Sequence, residues 1–145
     1  MKRFLSVLCA LTVAIVAVHA AEEKFSAKCP VSGKDAIKDA SLDYKGAKVY
    51  FCCPGCPDAF KADTAKFAAK ANQQLVQTKQ ATQEKCPLSG GKLNPDTAVK
   101  VGEVSVTFCC NNCKGKVEKA EGDAQPDLVF SDAAFEKGFV VAKPK

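Results

Sequence analysis

The sequence predicts an α+β fold built from two small modules in tandem, each a β-hairpin followed by short helices. Four cysteines recur along the 145-residue chain at a constant spacing. Strand-like alternation of apolar and polar residues precedes each cysteine cluster, and residues that favour helix follow it. The composition, 47% hydrophobic and 26% charged, is that of a globular protein and excludes a wholly disordered or collagen-like chain.

The first twenty residues have the pattern of a secretory signal peptide. Lys2 and Arg3 form a basic start, an apolar run occupies residues 4–18, and small residues end the pattern at Ala20. The run is shorter than the roughly 20 residues that a membrane-spanning helix needs. We therefore expect residues 1–20 to be cleaved off and the protein to be exported, to the periplasm or the extracellular space, with no membrane span left.

Cleavage would also remove the only histidine, His19, and the only arginine, Arg3. The rest of the chain then has no imidazole base, no Ser-His or Cys-His nucleophile pair and no histidine metal ligand. It contains no glycine-rich phosphate-binding motif, and we expect no enzymatic activity. Its lysines are scattered and no arginine remains to read bases, so we do not expect nucleic acid as a partner.

The eight cysteines beyond the predicted leader form two sets of four. Each cysteine of the second set lies 57 residues after its counterpart in the first, and residues 29–56 align with 86–113 without a gap. Ten of the 28 aligned positions are identical, which indicates two copies of one module. The two sets are Cys29, Cys52, Cys53 and Cys56, then Cys86, Cys109, Cys110 and Cys113.

A hairpin that ends at a pair of adjacent cysteines is predicted in each copy. In the first copy it covers residues 42–51 with a turn at Gly46, and in the second it covers residues 99–108 with a turn at Gly102. Apolar and polar residues alternate along these strands, and glycine favours the tight turn between them. The hairpins would deliver the cysteine pairs to equivalent places.

Helix is predicted after the last cysteine of each copy. Pro57 suits a first helical turn, and Asp63 is expected to cap a second helix that begins at Thr64. In the second copy the residues at 122–126 are expected to end the helix, and 131–137 to form a final short helix.

These patterns place the first module at 21–76, a polar linker at 77–85 and the second module at 86–145. A module of this size buries only a thin core. We therefore expect it to depend on disulfides, a metal or a neighbouring module for its stability.

Two interpretations of the cysteines remain open from their spacing alone. One cysteine before a hairpin and three after it can converge on one point, and thiolates favour soft ions such as Zn(II) or Cu(I). All eight cysteines are candidate ligands under this hypothesis. Adjacent residues of a strand point to opposite faces, however, so the two members of a Cys-Cys pair seldom bind one ion, and the spacing does not choose between them.

The competing interpretation is a set of disulfides. An exported protein meets an oxidising compartment, and an even number of cysteines in a small module is typical of a disulfide-stabilised structural or interaction module. A third hypothesis is thiol–disulfide redox chemistry at the Cys53-Pro54-Gly55-Cys56 motif, although the surroundings expected of a thioredoxin-like site are missing.

The pattern of both copies resembles the YHS/TRASH group of small metal-associated domains. The resemblance covers roughly residues 27–70 and 84–120, and the second copy shares the frame at Gly102, Phe108-Cys109 and Cys113. In the first copy it is carried by Tyr44-Lys45-Gly46-Ala47-Lys48-Val49-Tyr50-Phe51-Cys52, then Cys56, Phe60, Asp63 and Phe67.

This resemblance implies a treble-clef-like or zinc-ribbon-like module that binds heavy metals for trafficking, resistance or sensing, with a metal-transport or sensor protein as partner. The early cysteines, Cys29 and Cys86, stand three places before the cysteine of the YHS pattern, and Cys53 and Cys110 are additions to it. The family's paired ligands match Cys52 with Cys56 and Cys109 with Cys113. We predict an exported carrier, buffer or sensor of Zn(II) or Cu(I).

Overall fold

Five α-helices and three two-stranded antiparallel sheets make up residues 25–142, the part of the chain that the computed structural model describes. The predicted signal peptide, residues 1–20, lies outside the described residues. The strands are β1 (Ile37–Tyr44), β2 (Ala47–Phe51), β3 (Ala81–Gln83), β4 (Val99–Val101), β5 (Val104–Val106) and β6 (Phe139–Val141). The helices are α1 (Cys56–Ala62), α2 (Thr64–Gln77), α3 (Asn111–Glu118), α4 (Ala124–Phe130) and α5 (Asp132–Gly138), and Pro95–Thr97 forms a 3-10 turn.

The α+β prediction is confirmed, with a hairpin followed by helices in each copy. Strands β1 and β2 pair around a two-residue turn in which Lys45 and Gly46 have φ values of 51° and 80°. Strands β4 and β5 pair around a turn that begins at Gly102, with φ 57°. Glycine accepts a left-handed conformation without steric cost, and each turn contains one, at the second turn position in the first copy and at the first in the second.

Strand β5 ends at Val106, earlier than the sequence predicts, because side chains replace strand partners beyond that point. The N–H of Thr107 donates to Gln83 Oε1 at 2.9 Å. The N–H of Phe108 donates to Thr97 Oγ1 at 3.1 Å. Side-chain hydrogen bonds thus replace strand pairing for the two residues that lead to Cys109. A pattern of alternating apolar and polar residues does not indicate such bonds.

The helix predictions hold except in the segment between α3 and α5. Asp63 accepts a hydrogen bond from Lys66 N at 3.2 Å and so caps α2, and the final helix follows Ser131 as expected. Helix α3 ends at Glu118, before the predicted break at 122–126. That segment then starts the unpredicted helix α4, because Pro126 lies in its first turn, where a missing N–H costs nothing.

The two copies share a hydrophobic core. Helix α2 of the first copy packs against α4 and α5 of the second, and the buried cluster runs from Phe60 and Leu75 to Phe130. Within the predicted linker, β3 pairs with β6, with Thr82 opposite Val140. The neighbour that each thin module needs is therefore the other copy. The module boundaries themselves stay a prediction.

A polar cluster also ties the first hairpin to the second copy. Buried Asn72 donates from Nδ2 to the main-chain oxygen of Phe130 at 2.8 Å and to Asp132 Oδ1 at 2.9 Å. Asp132 also accepts from Tyr44 and pairs with Lys45 at 3.1 Å. Burial would raise the pKa of Asp132, but the bonds from Asn72 and Lys45 outweigh it and lower that pKa.

None of the helices within residues 25–142 combines the length and the apolar character needed to cross a lipid bilayer.

Candidate metal centres

Three cysteine sulfurs converge in each copy. We call the group of Cys29, Cys52 and Cys56 site one, and the group of Cys86, Cys109 and Cys113 site two. Within each site all three Sγ atoms lie within 4.8 Å of one another. Sulfurs bound tetrahedrally to zinc at about 2.3 Å would be separated by ~3.8 Å, so the spacing suits a shared ion.

The sulfurs that follow the hairpins are at that separation. Cys52 Sγ lies 3.6 Å from Cys56 Sγ, and Cys109 Sγ lies 3.7 Å from Cys113 Sγ. Cys56 is the first residue of α1, whereas Cys113 lies in the first turn of α3. The third sulfur of each site belongs to Cys29 or Cys86, which lies in a loop that precedes the hairpin in the sequence.

That loop is a tight turn with the same hydrogen bonds in both copies. In site one the N–H of Cys29 donates to Lys34 O at 2.7 Å, and Gly33 N donates back to Cys29 O at 2.8 Å. In site two Cys86 pairs in this way with Gly91 and Gly90, at 3.0 and 2.7 Å. The early cysteines are almost fully buried, so the turn holds their sulfurs against the core.

A serine hydroxyl contacts one sulfur in each site, a contact that was not predicted from the sequence. Ser32 Oγ lies 3.1 Å from Cys52 Sγ, and Ser89 Oγ lies 3.1 Å from Cys109 Sγ. A hydroxyl that donates to a thiolate stabilises its charge and orients it. The available signal was the Cys-Pro-x-Ser-Gly string, whose serine is identical in both copies.

Two glutamines, also missed, hold the strands that carry the sulfurs. Gln74 Oε1 accepts from Tyr50 N at 2.7 Å, and its Nε2 donates to Tyr50 O at 2.7 Å. Gln83 makes the same pair of bonds with Thr107, at 2.9 and 2.6 Å. Their positions, Gln74 just before the predicted linker and Gln83 within it, gave no sign of this role, since each contacts a segment distant in sequence.

The sulfurs of each site differ in their affinity for protons. Burial disfavours the thiolates of Cys29 and Cys86, but hydrogen bonds from Ser32 and Ser89 outweigh it, together with main-chain N–H groups, and lower each pKa to about 7. The hydrogen bond to Cys53, and then burial, raise the pKa of Cys56.

In site two, burial followed by the hydrogen bond with Cys109 raises the pKa of Cys113 to about 12. Each metal-free site therefore combines a sulfur that ionises near neutral pH with one that retains its proton.

Cys53 and Cys110 lie outside the two groups of converging sulfurs. Both side chains are exposed, in contrast to buried or half-buried cysteines in the sites. Cys53 Sγ nevertheless lies 3.3 Å from Cys56 Sγ, and Cys110 Sγ lies 3.6 Å from Cys109 Sγ. The two members of an adjacent pair thus differ in their exposure to solvent, although the sulfurs of Cys109 and Cys110 are in contact. Whether all eight cysteines are ligands stays a prediction.

The eight cysteines within the described residues are free thiols. The shortest separation given above, 3.3 Å between Cys53 and Cys56, is far beyond a disulfide bond of about 2.05 Å. The arrangement is that of open clusters of thiols that could hold a soft cation.

Comparison of the chain with protein-family models, with curated proteins and with solved structures gave no significant match. The resemblance to the YHS/TRASH group therefore stays a prediction, and the argument for function depends on the two sites.

Proposed function

We propose that this protein binds one soft metal ion, Zn(II) or Cu(I), in each of its two sites and acts as a carrier, buffer or sensor of that metal. The observation that supports this best is the convergence of three thiol sulfurs within 4.8 Å in both copies. Thiolate ligands select Zn(II) and Cu(I) over hard ions such as Mg²⁺ and Ca²⁺.

A role in carrying the ion, rather than in structure alone, is supported by the number and exposure of the ligands. A structural zinc site is closed by four protein ligands, whereas each of these groups contains three. Cys52, Cys109 and Cys113 are half-buried, so incoming ligands can reach the sulfurs. Such a site binds an ion and can also release it.

We place this activity outside the cytoplasm and without catalysis, on the basis of the predicted leader and of the residue types that remain after its cleavage. A metal-transport or sensor protein would be the partner. The competing function, a disulfide-stabilised module without metal, is kept as an outcome of the following test because an oxidising compartment favours it.

The test is native mass spectrometry of the exported protein, purified without reductant or chelator. We expect a mass increased by two metal ions and thiols that alkylate only after a chelator is added. Cys56→Ser and Cys113→Ser should each lose one ion. Ser105→Ala, an exposed substitution on β5, is the control and should retain both.

The disulfide hypothesis predicts a different set of masses. Each bridge would reduce the mass by two hydrogens, no metal would be present, and Cys56→Ser would leave an unpaired thiol. That result would end the proposal of metal binding.

A further inference from the structure

Cys53 and Cys110 occupy positions where packing gives no reason for cysteine. Both side chains are exposed. A free, exposed thiol is a liability in a protein that meets oxidants, and it adds little to the stability of the fold. The two copies nevertheless share it, although the next two residues differ, Pro54-Gly55 in one and Asn111-Asn112 in the other.

Each exposed sulfur lies in contact with the converging sulfurs of its site. Cys53 Sγ lies 3.3 Å from Cys56 Sγ, and Cys110 Sγ lies 3.6 Å from Cys109 Sγ. These separations are close to the ~3.8 Å between two sulfurs on one zinc ion. Neither exposed sulfur belongs to the mutual group of three, so each lies beside the group and not within it.

We propose that Cys53 and Cys110 are exchange ligands, through which the three-sulfur sites pass their ion to an acceptor that carries thiolates. This inference rests on the proposed function. In site one the bond between the metal and Cys56 sulfur breaks while a bond to Cys53 sulfur forms. The proton that leaves the Cys53 thiol balances the proton taken up by the Cys56 thiolate, and no oxidation is involved.

The position of the exchange ligand explains why a thiol is needed there. An ion in a group of three sulfurs must give up buried ligands before an acceptor can hold it. An exposed sulfur in contact with a ligand sulfur keeps the ion bound to thiolate throughout that change, so the barrier to transfer is lower. In site two Cys110 takes over from Cys109 in the same way.

The experiment uses full-length mature protein loaded with Zn(II) under anaerobic conditions. Cys113→Ser confines the ion to site one, and Cys53→Ser is then compared in that background. Two acceptors are used, the small dithiol 2,3-dimercaptopropanesulfonate and a peptide with a Cys-x-x-Cys motif. Comparing the two rates shows whether the accepting thiolate belongs to a small molecule or to a protein. Pro54→Ala, in the same exposed turn, is the matched control.

We expect Cys53→Ser to slow transfer to the peptide, or to both acceptors, by about tenfold or more. Its equilibrium affinity for Zn(II) should change by less than about twofold. Pro54→Ala should match the parent protein. In the Cys56→Ser background, which retains site two, Cys110→Ser should slow transfer likewise, with Asn111→Ala as control.

Two results would overturn the proposal. One is an unchanged transfer rate in Cys53→Ser with both acceptors. The other is a loss of affinity together with a fall from four sulfur ligands to three in X-ray absorption spectra, which would make Cys53 a resident ligand. If the parent protein takes up no Zn(II) or Cu(I), the proposed function itself fails, and this is already evident at the loading step.

Discussion

Gln74 and Gln83 make equivalent hydrogen bonds to the two hairpins, although Gln74 lies on a helix and Gln83 on a strand. Each side-chain amide forms a closed pair of hydrogen bonds with the main chain of one residue, Tyr50 in the first hairpin and Thr107 in the second. These two residues are equivalent in the repeat and lie two positions before the adjacent cysteines. The amides therefore fix where the sulfurs leave the hairpins.

Replacing Gln74 by alanine should reduce the free energy of unfolding by about 3 kcal/mol, because main-chain groups of Tyr50 and Lys28 lose their partner in a buried setting. The measurement is urea denaturation of the metal-free protein. Gln80→Ala is the control, since Gln80 makes the same pair of bonds with Lys48 at an exposed place. It should cost less than about 1 kcal/mol. Equal losses in the two variants would contradict the role assigned to Gln74.

Replacing Ser32 by alanine should weaken metal binding at site one by about tenfold. The variant removes the hydroxyl that contacts Cys52 Sγ at 3.1 Å and also helps to lower the pKa of Cys29. Competition with a chromogenic chelator measures the affinity in the Cys113→Ser background. Ser105→Ala, the exposed control on β5, should leave it unchanged. An affinity in Ser32→Ala equal to the parent value would show that the hydroxyl serves only the turn.

Metal affinity should rise with pH from neutrality upwards. The pKa of Cys56 is raised, so a proton must leave that thiol when an ion binds, and each displaced proton adds about tenfold in affinity per pH unit. The pKa of Cys29 is about 7, so this thiol also becomes protonated below neutrality and the affinity falls more steeply there. Chelator competition between about pH 5.5 and 9 gives the slope. A flat profile above pH 7 would be inconsistent with a protonated Cys56 in the free site.

Replacing Gly138 by alanine should reduce the free energy of unfolding by about 2 kcal/mol. A Cβ there would lie 2.8 Å from the Cα of Pro87 and 3.0 Å from the main-chain oxygen of Lys85. Backbone on both sides leaves no side chain to move away. Because Pro87 follows Cys86, metal affinity at site two should also fall while site one is unaffected.

Gly115→Ala is the control, and we expect it to change the free energy of unfolding in the opposite direction. Gly115 lies within α3, and a Cβ there would meet nothing within 4 Å. Alanine favours helix over glycine by up to about 1 kcal/mol, so this variant should be more stable than the parent protein. Thermal unfolding of the two variants side by side gives the comparison. A Gly138→Ala variant as stable as Gly115→Ala would mean that the segment around Pro87 shifts freely.

The sequence was sufficient for the parts of the fold that depend on local chemistry. The turns at Gly46 and Gly102 and the cap at Asp63 are set by neighbours in the chain, and the structure has them as predicted. The repeat located the cysteines at equivalent places, because the same spacing in both copies leads to the same path of the backbone.

The contacts that close the sites were not predictable in this way. The contact of Ser32 with Cys52 spans 20 residues of chain, so no local pattern indicates it. Helix α4 was missed because Pro126 reads as a helix breaker, although a proline is tolerated in the first turn of a helix that packs against α2.

The sequence alone determined that two hairpin modules carry four cysteines each, because periodicity, turn residues and spacing are properties of neighbouring residues. Only the tertiary structure decided that three of the four sulfurs converge while Cys53 and Cys110 remain exposed. The two members of an adjacent pair have the same chemistry and nearly the same position in the chain. What separates them is how far each side chain is exposed to solvent, and the packing of hairpin, turn and helix against a core shared by both copies sets that exposure.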